Sequence, residues 1–333
     1  MNRSETHQQQ LLRKEADFWD LQEERIASLY ARPHDWHFVP KIANVIVRPR
    51  ERTFLRLLDA HRHDIRSLVD IGCGNGFICH ATAKRGIHSI GLELSAKKVD
   101  VARRMAKEQG VAHLCEFHVA DAAVWQPSAK VDLLTSTGSL HHFPDFANAL
   151  ERMQANMLKP DGYMLFVEPN HEGMAPEVAQ FLLKCANHRL LKRFFDIDFY
   201  LEVTGKKTLD EPDAEHGHEH GHEHGHESGA AAAGDEPDIR DESPAGKEFF
   251  GEHIDLDAYF SAHFDVLEKE FYHYFASHAS NAFYVFMKST LIRGLWRLML
   301  PWLVRRDTRL LRRPEYQRWA ESGLWFMRRK AAR

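Results

Sequence analysis

The stretch Leu68-Val69-Asp70-Ile71-Gly72-Cys73-Gly74-Asn75-Gly76-Phe77 holds the residue types whose spacing could do chemistry. An apolar strand runs into a loop with glycine at alternate positions, and a helix follows. Glycine permits positive φ and lets a ligand lie against bare backbone. The opening helix offers unpaired N–H groups to an anion. Twenty-one residues after Gly72, where the next strand ends, stands Glu93. A carboxylate there can accept hydrogen bonds from both hydroxyls of a ribose. The pattern is G-x-G-x-G, whereas G-x-G-x-x-G makes room for a pyrophosphate. Asp70 would repel a pyrophosphate and attract a cationic amino-acid end.

Three further groups carry chemistry. His141 and His142 follow a fourth strand at the carboxyl edge of the expected sheet, where α/β ligands bind. Either imidazole could take an acceptor's proton near neutral pH; alternatively, the Leu140-His141-His142 turn only frames the ligand. Glu168, Asn170 and His171 leave the next strand on the same edge and are pocket candidates, against a role in capping or loop polarity. The tract His216, His218, His220, His222, His224 and His226 alternates with glycine and glutamate. Imidazoles suit nickel, zinc, cobalt and copper. A flexible repeat cannot fix an open coordination position, so no catalytic metal is expected there.

Several elements must position these groups. Residues 1–66 read as helical, with apolar residues at three- and four-residue steps and aromatics at Phe18, Trp19, Tyr30 and Trp36 that could form a lid. Residues 67–170 alternate the apolar runs Ser67–Ile71, Ser89–Leu92, Cys115–Val119, Val131–Thr135 and Tyr163–Val167 with helical stretches. Such alternation predicts a doubly wound α/β sheet, mostly parallel and buried on both faces. Residues 171–204 read as a helical lid or substrate region. Residues 205–247, with twelve acidic and four basic residues, read as a disordered insert. Residues 248–290 are expected to close the sheet with strands at Phe264–Phe271 and Ala282–Met287. Residues 291–333 read as a basic amphipathic tail, and truncation after Ser289 is expected to spare the domain.

Net charge over 333 residues is −4, yet the tail carries twelve basic against three acidic residues. A basic, tryptophan-rich amphipathic helix suits an anionic membrane surface; the competing reading packs it on the domain. No RNA-binding module accompanies it, so nucleic acid is not the expected partner. Four cysteines form no C-x-x-C pair, and the polar N-terminus lacks a signal-peptide core. Both features point to a reducing cytoplasm, with peripheral contact at the inner face of the membrane.

The set Val69–Gly76, Gly91-Leu92-Glu93-Leu94-Ser95, Ala120-Asp121-Ala122, Val131–Phe143 and Leu158-Lys159-Pro160-Asp161-Gly162 resembles class I S-adenosylmethionine (SAM)-dependent methyltransferases. The resemblance covers about residues 66–170 and is nearest the small-molecule and lipid branch with an LHH motif. It implies a seven-stranded Rossmann-like sheet ending in an antiparallel pair. It further implies that Asp70, Gly72, Cys73, Gly74, Asn75 and Gly76 hold the methionine end of the cofactor. Glu93 would take the ribose, Leu94 and Asp121 with Ala122 the adenine, and Ser136, Thr137 and Gly138 the methionyl part. The implied reaction is methyl transfer to oxygen or carbon of a small lipophilic or lipid-linked acceptor. An RNA or protein methyltransferase recruited by the tail, and a SAM-binding or metal-responsive membrane adaptor, remain as alternatives. The long gap between the fifth and sixth strands makes the acceptor the least transferable implication.

Overall fold

Short apolar runs separated by helices do form a mostly parallel sheet. In the computed structural model, which describes residues 7–31, 40–143, 145–170, 174–196, 243 and 254–330, the strands are β1 (Ser67–Ile71), β2 (His88–Glu93), β3 (Cys115–Val119), β4 (Val131–Thr137), β5 (Leu158–Pro169), β6 (Phe264–Tyr272) and β7 (Ser322–Arg329). They stand in the order β3-β2-β1-β4-β5-β7-β6. The first five are parallel, and β7 runs antiparallel between β5 and β6. Strand order reverses between β1 and β4, which opens a crevice beyond their carboxyl ends.

The two-residue period of the strands divides the core between two faces. Val69, Ile71, Leu134, Met164, Phe166, Trp325 and Met327 meet α5 (Phe146–Met157) and α7 (Leu256–His263). Leu68, Leu133, Leu165, Val167, Leu324 and Phe326 meet Phe54, Leu57 and Leu58 of α2 (Pro40–Ala60). The remaining helices are α1 (His7–Ala31), α3 (Phe77–Ala83), α4 (Ala96–Glu108), α6 (Pro176–Asn187), α8 (Ala276–Ser280), α9 (Thr290–Leu310) and α10 (Pro314–Gln317). Among the described residues, no helix is long and apolar enough to cross a membrane.

The end of the sheet differs from its sequence expectation. Phe264–Phe271 lies within β6, but Ala282–Met287 is not its partner. That stretch continues helix α8 in a wide helical turn, Asn281–Val285. The cause is Asp307 of α9, whose carboxylate accepts the backbone N–H groups of Tyr274, Phe275 and Ala276 at 2.7–3.1 Å. Three satisfied donors fix a helix start and withdraw the segment from strand pairing. The seventh strand is Ser322–Arg329, inside the region expected to be a tail. Its net charge is basic, yet Leu324, Trp325, Phe326 and Met327 are completely buried. The first part of that region is not a free tail either. Trp296, Leu300, Leu303 and Val304 of α9 pack on Ile42 and Ile46 of α2. The stretch 205–242 lies outside the described residues.

Truncation after Ser289 would remove α9 and β7 and leave β5 and β6 unpaired on the sides that β7 joins. It should yield insoluble or molten protein, seen as loss of the near-ultraviolet circular dichroism signal. Native spectra and a cooperative melt from that truncation would return residues 291–333 to the status of a tail.

Candidate active site

A cavity of about 490 Å³ opens at the carboxyl edge of β1, β2 and β4. Its floor is Asp70 and the Gly72–Gly74 turn. Glu93, Leu94, Ala120 and Ala122 form one wall, and Thr137, Gly138 and His142 form another. Leu12, Glu15 and Trp19 of α1, with Val47, Arg50, Glu51 and Phe54 of α2, cover it.

The backbone at Gly72 has φ +62°, and a Cβ there would meet Ser139 at 2.4 Å. Gly74 has φ +51° and open space where its Cβ would be. The first glycine lets two loops touch, while the second keeps bare backbone toward the cavity. Gly74 N–H donates to Glu93 Oε2 at 2.9 Å, and Glu93 Oε1 accepts Leu94 N–H and Ser95 N–H at 2.8 and 3.1 Å. Three backbone donors therefore fix this carboxylate where it faces the cavity. Asp70 is buried, with Thr135 Oγ1 donating to it at 2.9 Å. Burial, and next the Glu93 charge, push its pKa up to about 7, against the lowering effect of the Thr135 bond. No cation pairs with Asp70 among the described residues.

The two histidines take different partners, although their ring centroids lie 3.9 Å apart. His141 Nδ1 lies 2.9 Å from Glu168 Oε2, away from the cavity. Glu168 Oε1 accepts Ser136 Oγ–H, Ser139 N–H and Leu140 N–H at 2.8, 3.1 and 3.1 Å. Those bonds outweigh burial and hold Glu168 below the usual glutamate range. Glu168, expected as a pocket group, is thus a clamp beneath the Leu140–His142 turn, with no place in the cavity wall. Ser136 is buried with it. Asn170 turns away as well, its Nδ2 donating to the carbonyls of Gln317 and Arg318. His142, in contrast, lines the cavity. Its Nδ1 is 3.0 Å from Glu15 Oε1 and 2.6 Å from Ser243 Oγ, and the Trp19 ring stands edge-on to it at 5.2 Å.

Asp121 is half-buried and caps its own turn, accepting Ala123 N–H at 2.8 Å, while its neighbours Ala120 and Ala122 reach the cavity. Cys73 lines the cavity; Asn75 points elsewhere, Nδ2 donating to Glu23 at 3.4 Å. Gly76, at φ +79°, caps α3. His171, Trp36 and the histidines of residues 216–226 lie outside the described residues, as does the Tyr30 side chain. Among the described residues no cluster of three metal-ligating side chains occurs.

Sequence reasoning missed three charged cavity residues, Glu15, Arg50 and Lys98, and the pairing of Trp19 with His142. The signal was present for two. Glu15 interrupts the apolar stripe Leu11-Phe18 of α1, and Arg50 the stripe Val47-Phe54 of α2; a charge on a covered face calls for a partner or a ligand. Burial lowers the pKa of Arg50, most of all, against the nearby Glu321 carboxylate. Its guanidinium makes no hydrogen bond or ion pair among the described residues. The Lys98 ammonium sits 3.8 Å over the Trp19 ring.

An unneutralised buried acid, a fixed second carboxylate and an open glycine edge fit a ligand that is cationic at one end and carries vicinal hydroxyls. A family model described as a methyltransferase domain matches residues 63–212. Those residues are a class I methyltransferase domain. The chain is 34% identical over 113 residues to the ubiquinone biosynthesis O-methyltransferase of Paraburkholderia phytofirmans, covering 34% of this chain and 48% of that one. It is 29% identical over 123 residues to the enzyme of the same name from Serratia proteamaculans, covering 36% and 51%. The chain spans about half the length of these relatives. Among solved structures, YjhP from E. coli aligns with 92% of this chain and 100% of its own at 19% identity and a TM-score of 0.45.

Replacing Glu168 by alanine strands its partners in the methyltransferase core and should destabilise the fold by about 3–5 kcal/mol. Because its native pKa is depressed, its contribution is present above the ordinary glutamate value and is lost as pH falls through the native one. Melts from pH 6 down to about pH 2.5 should show a steeper loss below about pH 4.5 in the wild type than in Glu168→Gln. Parallel curves would deny Glu168 the clamp role.

Proposed function

We propose that the protein transfers a methyl group from SAM to oxygen or carbon of a small, lipophilic or lipid-linked acceptor, oxygen being the atom its site best serves. The observation that carries this reading is His142 on the cavity wall, backed by the Glu15 carboxylate at 3.0 Å. SAM supplies an electrophilic methyl group on a sulfonium. The chain must hold it, admit the acceptor, exclude water and remove a proton where the acceptor is a neutral hydroxyl.

Asp70 meets the ammonium of the cofactor's amino-acid end, and Arg50 offers the only guanidinium lining the cavity among the described residues for the carboxylate of that end. Glu93 takes the ribose hydroxyls, its carboxylate already oriented by three N–H groups. Leu94 and Ala122 would flank the adenine, whose amino group would donate to Asp121, and Thr137 and Gly138 would close on the methionyl part. His142 accepts the acceptor's proton at Nε2, while Glu15 at Nδ1 fixes the tautomer and stabilises the imidazolium. When bound, SAM would supply the methyl group, its sulfur keeping the electron pair of the broken sulfur–methyl bond as the acceptor oxygen takes the methyl. His141 and Glu168 position this turn without touching the reacting atoms. The apolar cover of Leu12, Trp19, Val47, Phe54 and Leu55 suits an aromatic or isoprenoid acceptor. The ubiquinone O-methyltransferases make hydroxylated aromatic lipids the first class to test. Contact with an anionic membrane, where such acceptors reside, is part of the reading.

Labelled SAM incubated with the protein and hydroxylated aromatic lipids should give a labelled ether. His142→Ala should lower kcat about 10²–10⁴-fold while leaving SAM affinity within about twofold, and Glu15→Gln should lower it less. Label appearing in RNA or protein instead would reverse the assignment.

Asp70 supplies a pH test. Its raised native value means that the protonated form predominates below about pH 7 in the unliganded protein, and a cationic ligand favours the ionised form. Affinity for the cofactor should therefore rise with pH up to about 7 and then level off. The unliganded fold should lose stability over the same rise. Calorimetry on Asp70→Asn should show weak, pH-independent binding; an unchanged profile would move the ammonium site elsewhere.

A further inference from the structure

We propose that the outer face of α9, together with the neighbouring arginines of α2, docks the protein on an anionic phospholipid surface. The inference rests on the acceptor reading only for what the docking serves; the surface itself stands on its own geometry.

Helix α9 has two unlike sides. Trp296, Leu300, Leu303, Val304 and Asp307 are buried. On the other side Leu291, Leu295, Leu298, Met299 and Trp302 are exposed, Leu291 at 72%, Leu298 at 79% and Trp302 at 60%. With 3.6 residues per turn these five fall in an arc of about 100°. Five large apolar side chains in one stripe are more than scattered surface residues and mark an interaction face.

The same stripe turns basic in the last turns of the helix. Arg305, Arg306 and Arg309 follow Trp302 along it, and with Trp302, Leu310 and Arg313 they line a groove of about 370 Å³. A second groove joins Arg305 to Arg48 and Arg52 of α2. Arg48, Arg52, Arg305, Arg306 and Arg309 are exposed and in no ion pair among the described residues. Apolar side chains and tryptophan beside unpaired guanidiniums complement lipid: acyl chains for the first, phosphate headgroups for the second. A nucleic acid would leave the leucines uncovered. The acidic stretch 205–247 could meet the arginines but brings few apolar residues for the stripe.

The placement has a use. Helix α2 presents Arg48 and Arg52 to this surface and Val47, Arg50 and Phe54 to the cavity. A docked protein would thus hold the cavity's cover against the phase that dissolves a lipophilic acceptor. Arg293, near the start of the helix, lies off this face and turns inward, its guanidinium donating to the Val285 carbonyl at 3.4 Å.

Co-sedimentation of the full chain with phosphatidylcholine vesicles, with and without phosphatidylglycerol, tests the inference. Binding should require phosphatidylglycerol and weaken with salt without vanishing. Arg305→Glu/Arg306→Glu/Arg309→Glu should weaken it about a hundredfold. Leu295→Ser/Leu298→Ser/Trp302→Ser should leave a residue of binding that high salt abolishes. Both triple variants should melt as the wild type does and bind S-adenosylhomocysteine equally, because the changed side chains face solvent. Full-length protein that stays in the supernatant at low salt overturns the proposal. So do variants that bind like wild type, or binding that appears only after residues 210–240 are deleted, which would assign the arginines to that acidic stretch. Calorimetry with S-adenosylhomocysteine separates the two readings: retained binding without sedimentation sinks only the docking face, and lost binding in the wild type sinks the methyl-transfer reading.

Discussion

Backbone N–H groups leaving the carboxyl edge of a buried sheet must find acceptors, and this protein satisfies them with buried carboxylates. Glu93 takes the donors of Gly74, Leu94 and Ser95. Glu168 takes Ser139 and Leu140, and with Ser136 and His141 it holds the turn after β4. Asp307 takes Tyr274, Phe275 and Ala276. A buried charge is tolerable only when donors surround it, so each carboxylate and its loop fix one another. The cavity is the space these fixed loops leave between β1 and β4.

Asp70 differs from those three in its donors: it receives one hydroxyl bond, a long thiol contact from Cys79 and no backbone N–H. Burial raises its pKa to about 7, as burial also raises that of Asp307. A site with one underpaired acid and one unbound guanidinium is electrostatically incomplete until a zwitterion enters. The same distinction sorts the histidines. His141 spends its Nδ1 on the saturated Glu168. His142 turns to the cavity, with Glu15 arriving from a helix about 125 residues away in the chain.

Helix α9 shows how one segment can serve three demands. Its inner side fills the core beside α2, its Asp307 caps α8, and its outer side carries the apolar and basic stripe. Read by charge alone, it belongs with the strand that follows in a single basic tail. Burial divides them: Arg305, Arg306 and Arg309 of α9 face out, whereas β7 hides Leu324 to Met327 in the centre of the sheet.

Local pattern determined the parallel half of the fold. Apolar runs at two-residue period, with glycines at the β1 turn and a carboxylate ending β2, state a strand, a loop and a ribose acceptor whatever surrounds them. The sequence therefore placed Asp70, Gly72, Gly74, Glu93 and His142 at one edge. It could not tell His141 from His142, because the role of each of these neighbouring rings depends on which distant carboxylate it meets. It also assigned Ala282–Met287 as the partner of β6, where the structure has Ser322–Arg329. Both are apolar enough for a strand, and the choice fell to a carboxylate on a third element that caps one of them as a helix. Glu15 and Arg50 carried a local sign, a charge on a covered stripe, but their meaning depends on the cavity that α1 and α2 close. Contacts within a few residues follow from composition and period; contacts between distant segments are decided by which buried charge finds which donor.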